Sequence, residues 1–148
     1  MADARTRLRQ EIAKLRSLVS SASAVSSPLL ISKDHCSMSP GTIVDAIRFE
    51  SICRDVSGGQ DWDLKRAMSD EAAALYREKL LTRHEIGWIE GECARYAINY
   101  ESLILDYASV LLTRREFPQA ELRLTNLLKL EPASEAANIA LMQAYAIR

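Results

Sequence analysis

The sequence has 148 residues, a length typical of one domain with an appendage. Its 48% hydrophobic and 26% charged residues are ordinary for a folded protein. A net charge of −1 excludes a chain that attracts polyanions along its whole length. The charge is uneven, because residues 1–20 hold five cations against Asp3 and Glu11, a local +3 that leaves −4 on the remainder.

Cysteine usage and hydropathy exclude further classes. The three cysteines, Cys36, Cys53 and Cys93, form neither a CxxC pair nor a Cys/His cluster, so neither a zinc site nor a disulfide framework is indicated. We expect reduced, mostly buried thiols. No apolar run approaches the ~20 residues of a membrane span, and no secretory signal follows the basic start. The sequence therefore predicts a cytoplasmic protein without membrane contact.

The first predicted elements are a basic helix and a small hairpin. Asp3 is the expected N-cap of a helix over residues 4–19. Its apolar stripe has helical spacing and consists of Leu8, Ile12, Leu15 and Val19. The Ser/Ala-rich residues 20–28 predict a loop, and residues 29–32 and 36–39 predict two short strands before a Pro40-Gly41 turn.

The remaining predicted elements are all helices. One begins at Asp45 and ends at Ser57-Gly58-Gly59, and Asp61 caps the next, which runs from residue 62 to about 76. A long helix follows over residues 88–113, then one with Pro118 in its first turn ending at residue 130, then one over residues 135–147 capped by Ser134. The expected inward side chains of the second of these helices are Leu64, Met68, Ala72 and Leu75.

The last hairpin has the punctuation of a tetratricopeptide repeat, which has a period of ~34 residues. Small residues let two helices approach, an aromatic residue fills the crevice, and a proline ends the second helix. The residues with this spacing are Tyr107, Ala108, Phe117, Ala120, Leu124, Leu127 and Pro132. Because such a unit cannot bury its apolar face alone, its neighbours should be helical as well. We therefore expect a mostly α fold, a tetratricopeptide-like array of antiparallel helix hairpins with a small N-terminal β-hairpin and a leading basic helix.

Four separated motifs occur in the order of a known family. They are Val44-Asp45-Ala46-x-x-Phe49-Glu50, Gly58-Gly59, Ala74-Leu75-Tyr76-Arg77-x-x-Leu80-Leu81 and Trp88-Ile89-Glu90. Residues 42–148 thus resemble the bacterial transcriptional activator domain, the helical module of antibiotic-regulatory-type activators. Residues 8–16 resemble the recognition helix that precedes this module in the family, and residues 29–39 stand where its wing strands would be. The resemblance implies a remnant of a winged-helix DNA-binding domain over residues 1–41 and the activator module over residues 42–148.

The sequence departs from the family pattern at several positions. Glu78 and Arg115 replace glycines, Cys93 replaces an arginine, and His35-Cys36 replaces the Gly-Tyr of the wing. The recognition-like helix also stands at the start of the sequence, without the strands and two helices that precede it in the family. Its apolar stripe therefore needs another partner.

The resemblance places DNA contacts on the exposed face of the basic helix. The expected base-facing residues are Thr6, Gln10, Ala13 and Ser17, and the expected phosphate contacts are Arg7, Arg9, Lys14 and Arg16. Five cations support non-specific phosphate affinity at most, which falls as salt rises. The alternative is a helix packed on the body with solvated arginines.

The other candidate surface is the groove of the helical array, since repeat arrays bind extended or helical segments there. Exposed polar positions on the long helix are candidates for partner contact, namely Asn99, Glu101 and Asp106. The alternative is that this surface packs against another domain or a second copy.

No enzymatic constellation is predicted. His35 and His84 lack acidic or cysteine partners at ligand spacing, and the acid pairs Asp61/Asp63 and Asp70/Glu71 are expected at helix starts, as caps. Gly58-Gly59 is too short for a phosphate loop, and Trp62, Trp88, Tyr96 and Tyr100 are expected in the core. We expect no enzyme, metal or cofactor. The predicted function is that of a transcriptional regulator whose helical module mediates self-association or partner binding, with weak DNA contact by the first helix. The alternative is a free-standing tetratricopeptide-like adaptor or scaffold.

Overall fold

A computed structural model describes residues 2–22, 28–32, 35–56, 61–79 and 87–147. Within these ranges it is mostly helical, with six helices and one small two-stranded antiparallel sheet. The chain divides into two compact units, Met1–Val44 and Asp45–Arg148. The Gly58-Gly59 motif, Leu80-Leu81, His84 and the predicted break over residues 80–85 lie outside the described residues.

The first unit contains helix α1 (Ala2–Ala22) and strands β1 (Leu29–Ile31) and β2 (Cys36–Met38). The strands pair antiparallel with Leu30 opposite Ser37, as the hairpin prediction required. The prediction of Asp3 as N-cap is wrong, because the helix already includes that residue. The helix also continues past residue 19, and the Ser21 hydroxyl donates to the Leu18 carbonyl at 2.7 Å in its last turn.

The second unit consists of five helices among its described residues. They are α2 (Asp45–Val56), α3 (Trp62–Leu75), α4 (Gly87–Thr113), α5 (Phe117–Leu130) and α6 (Glu135–Ile147). The predicted caps are confirmed: the Asp61 carboxylate accepts from the Asp63 amide at 2.9 Å, and the Ser134 hydroxyl accepts from the Ala137 amide at 3.1 Å. Pro118 lies in the first turn of α5, where its missing N–H costs nothing.

Helix α4 is the centre of the second unit, because it packs against each of the other four helices. The helix pairs α2–α3 and α5–α6 also pack on each other. The buried core includes the repeat-type residues Ala108, Ala120, Leu124 and Leu127, all without solvent exposure. Tyr96 and Tyr100 are core residues, as predicted, and Trp62 is partly buried against Tyr107. The side chain of Trp88 lies outside the described part.

Two packing details differ from the sequence prediction. Leu64 was expected to face inward but is 55% exposed, and the buried positions of α3 are Ser69 and Ala72. Phe117 is only half-buried. Small residues suffice at these points of α3 because the neighbouring helices supply the bulk: Ile52 and Ile104 are both fully buried in the same cluster as Ala72.

Candidate functional site

The first candidate surface is the polar face of α1. All eight predicted DNA-contact residues are exposed: Thr6, Arg7, Arg9, Gln10, Ala13, Lys14, Arg16 and Ser17. At about 100° per residue, Thr6, Gln10, Ala13 and Ser17 share one face of the helix, with the four cations along its two margins. The helix brings all of them together on one side.

One ion pair within α1 involves a cation of this face. Lys14 pairs with Glu11 at 2.7 Å, but both side chains are about two-thirds exposed, and such pairs stabilise a helix little. The side chains of Arg7, Arg9, Lys14 and Arg16 are all exposed to solvent on this face.

The apolar stripe of α1 lies open on the other side. Leu8, Leu15 and Leu18 are all about half exposed or more, and none of the described side chains of the helix is buried. The helix is therefore amphipathic without a buried face in this unit.

A second candidate surface is a cavity of about 470 Å³ between α3, α4 and α5. We call it the α3–α5 groove. Its apolar wall comes from Ala73 and Ala74 on α3 and Leu130 on α5, with Tyr100 of α4 against it. Its polar lining residues are Asp70, Arg77, Arg123, Asn126 and Lys129, which carry three cations and one carboxylate, a balance of +2. A cavity of this size is in the range that proteins use for ligands.

Arg123 is the most enclosed cation of the groove. Its side chain is 20% exposed, and its guanidinium pairs with Asp70 across from α5 to α3. Its Nε donor is buried and has no acceptor. A second ion pair, at 3.2 Å, joins Arg66 of α3 to Glu116, the residue just before α5.

The tyrosines next to the groove are embedded in the core. Tyr76 and Tyr100 stack with ring centroids 4.5 Å apart, and burial raises the pKa of the Tyr100 hydroxyl while the nearby Arg123 opposes that rise. Burial also raises the pKa of Tyr76 to about 12, with the Glu131 charge contributing. Both phenols therefore remain protonated donors across the physiological range.

The three predicted partner contacts are not brought together. Asn99 lines a cavity of about 290 Å³ with Glu50 and Arg95. Glu101 lines another of about 390 Å³, and its carboxylate accepts a hydrogen bond from the Ser134 hydroxyl. Asp106 lines a third of about 290 Å³ beside Trp62. Asp106 is exposed as expected, whereas Asn99 and Glu101 are half-exposed.

The cavity beside Asn99 has a fully engaged charge cluster. Arg95 pairs with both Glu50 and Glu92, and the Tyr96 hydroxyl donates to Glu50 at 2.7 Å. The hydrogen bond from Tyr96 and, to a smaller extent, the one from Arg95 hold the pKa of Glu50 below its usual range. The cluster ties α2 to α4 and leaves little hydrogen-bonding capacity for a ligand.

Several smaller predictions have clear outcomes. Asp70 and Glu71 are not helix-start residues, because both lie in the interior of α3 and pair with Arg123 and Arg48. The prediction of mostly buried thiols is wrong for Cys36, which is exposed like the other two residues of β2, whereas Cys53 and Cys93 are half-buried. His35 is exposed, with its Nδ1 2.7 Å from the Ser32 hydroxyl.

The groove residues escaped the sequence prediction for a physical reason. Asp70 and Arg123 are 53 positions apart, so only the tertiary fold joins them. The sequence did contain one signal. Arg123, Asn126 and Lys129 recur every three residues and form a polar row on α5, whose buried residues are all apolar.

Among the described residues no group of three or more histidine, cysteine or acidic side chains comes together as a metal site. None of the described helices combines the length and apolarity that a bilayer span requires. No family model, no curated protein and no solved structure matches this chain.

Proposed function

We propose that the chain is a transcriptional regulator in which α1 contacts DNA and helices α2–α6 form a tetratricopeptide-like module for self-association or partner binding. The four motifs shared with the bacterial transcriptional activator domain support this proposal. The observation that carries it is the exposure of all eight candidate DNA-contact residues along one face of α1.

The physical basis of the DNA contact is charge and size. The major groove of B-DNA admits an α-helix, and Arg and Lys on its margins can reach phosphates on either side. The α1 cations outnumber its acids by three (Arg5, Arg7, Arg9, Lys14 and Arg16 against Asp3 and Glu11). Affinity should therefore be modest, weakly dependent on base sequence and strongly dependent on salt.

The partner-binding half of the proposal is supported by the packing of the second unit. Short connections join α4 to α5 and α5 to α6, and each pair packs together, as in αα-hairpins. The repeat-type small residues Ala108 and Ala120 are buried where these helices meet. Stacked hairpins of this kind present grooves between helices, and the α3–α5 groove, at about 470 Å³, is larger than the cavities beside Asn99, Glu101 and Asp106.

The test is a fluorescence anisotropy titration of the full chain with a labelled DNA duplex at about 50 mM and about 200 mM NaCl, a range over which phosphate contacts weaken strongly. We expect binding at the lower salt concentration that largely disappears at the higher one. The variant Arg9→Gln/Arg16→Gln should lose most of the low-salt binding. The matched control Arg54→Gln/Arg115→Gln removes the same charge from exposed positions of the second unit and should retain it.

The second candidate function is a free-standing adaptor that binds proteins without DNA. The observation that favours it is that α2–α6 bury a core of their own. The same titration separates the two functions. Absence of binding at low salt, or equal losses in the α1 variant and its control, would reject the DNA contact and favour the adaptor.

A further inference from the structure

We propose that the α3–α5 groove binds a carboxylate-bearing peptide segment of a protein partner, with Arg123 as the residue that receives the carboxylate. This inference deepens the partner-binding half of the proposed function and rests on it. It does not depend on DNA contact by α1.

The charge of the groove indicates the sign of its ligand. Arg77, Arg123 and Lys129 face the cavity against the single carboxylate of Asp70. A +2 lining next to a partly apolar wall favours an occupant that carries negative charge and some apolar surface. An acidic peptide segment has both properties, whereas a small inorganic anion has only the first.

The state of Arg123 gives the second, independent indication. The guanidinium has five N–H donors, and Asp70 accepts from only one of its terminal nitrogens. The side chain lines the cavity and is 20% exposed, whereas its Nε is buried and out of reach of a ligand. A ligand carboxylate that displaces or joins Asp70 would therefore accept from the terminal N–H groups, a charge-assisted contact that arginine favours.

The neighbouring residues suit a peptide. Asn126 and Lys129 lie along α5 on the same side as Arg123 and line the groove, and the Lys129 ammonium donates to the side-chain amide oxygen (Oδ1) of Asn126 at 3.0 Å. Arg77 follows α3, with its Nε donating to the Ala74 carbonyl at 2.8 Å. The cations thus occupy both walls, and an extended or helical segment lying between them would meet positive charge on each side.

Asp70 acts in this arrangement as an internal competitor. It neutralises Arg123 when no ligand is bound, which lowers the cost of an enclosed cation. Removing its charge should therefore strengthen ligand binding. A purely structural ion pair makes no such prediction, because its loss would only loosen the helices.

The experiment measures anisotropy of a fluorescein-labelled glutamate–leucine peptide with the full chain, beside the same peptide carrying glutamine for glutamate. We expect the glutamate peptide to bind and the glutamine peptide not to bind. Arg123→Gln should weaken binding of the glutamate peptide about tenfold, equivalent to about 1.4 kcal/mol, and Asp70→Asn should strengthen it. The matched controls are Arg48→Gln and Glu71→Gln, which break another ion pair of α3 whose two residues do not line the groove, and they should leave affinity unchanged. Lys129→Gln, which breaks no ion pair between helices, should weaken binding even if Arg123→Gln fails to fold.

Three results would overturn the proposal. They are equal binding of the two peptides, equal losses in Arg123→Gln and Arg48→Gln, and full displacement of the peptide by inorganic phosphate at the same concentration as by free peptide. The last would reduce the groove to a simple anion site. A DNA titration separates the two proposals. If the protein binds DNA but does not bind the glutamate peptide, only the peptide-binding inference is rejected.

Discussion

Arg115 adopts a left-handed backbone conformation, with φ of 62°, in the turn between α4 and α5. The Glu116 amide donates to the Leu111 carbonyl at 2.9 Å and the Arg115 amide to the Leu112 carbonyl at 3.0 Å, the paired bonds of a Schellman motif. This motif usually carries glycine at the left-handed position. Arg115 therefore holds its backbone in a strained conformation, and its side chain is exposed to solvent.

The variant Arg115→Gly should stabilise the protein. Relief of the left-handed strain is partly offset by the greater freedom of glycine in the unfolded chain, which leaves a gain of roughly 0.5–1 kcal/mol. Urea unfolding followed by circular dichroism measures the change. Arg114→Gly is the control, and it should destabilise, because Arg114 lacks a positive φ and lies 4.7 Å from the centre of the Trp62 ring. A loss of stability in Arg115→Gly would contradict the claim that Arg115 is strained in its left-handed conformation.

Cys36 and Cys53 should react with alkylating reagents at different rates, because they differ in burial. Burial raises the pKa of the Cys53 thiol from 9.0 to about 11, which reduces its thiolate about a hundredfold near neutral pH, whereas Cys36 is exposed. We expect iodoacetamide to modify Cys36 well before Cys53 at pH 8, and the rate at Cys53 to climb as the pH approaches 11. Peptide mass spectrometry of a time course reads both sites. Equal rates at pH 8 would show that Cys53 is more open than its burial indicates.

At the scale of elements, helix boundaries followed from local chemistry. Asp61 and Ser134 have short oxygen-bearing side chains just before amphipathic runs, and both proved to be caps. The start of α1 could not be predicted in the same way, because Asp3 is helical and the helix begins before it. The inward face of α3 was predicted correctly at Ala72, which is buried, and at Met68 and Leu75, which pack against the core. Periodicity alone did not show that Leu64 is exposed and that Ser69 is buried instead.

The cap of α6 can be tested directly. Ser134→Ala removes the acceptor of the Ala137 amide and the donor to Glu101, so the protein should lose about 1–2 kcal/mol of unfolding free energy. Thermal or urea unfolding measures it. Ser102→Ala, at an exposed position inside α4, should change stability little, and an equal loss there would argue against a specific cap.

At the scale of the whole molecule, the helical composition and the order of elements were predictable, and the candidate sites only in part. The α1 face was readable because its residues are contiguous in sequence. The α3–α5 groove was not, because Arg123 and Asp70 meet only through the common packing of α3 and α5 on α4. Asn99, Glu101 and Asp106 share one helix yet line three separate cavities, since their neighbours come from different parts of the fold.

The most direct measurement of the central claim is the salt dependence of duplex DNA binding by the full chain. Each phosphate contact contributes about −0.9 to the slope of log K against log salt, so neutralising Arg9 and Arg16 should reduce the slope by about 1.8. The Arg54→Gln/Arg115→Gln control should keep the original slope. Absence of binding at low salt, or a slope that the α1 variant leaves unchanged, would contradict the proposal that α1 contacts DNA.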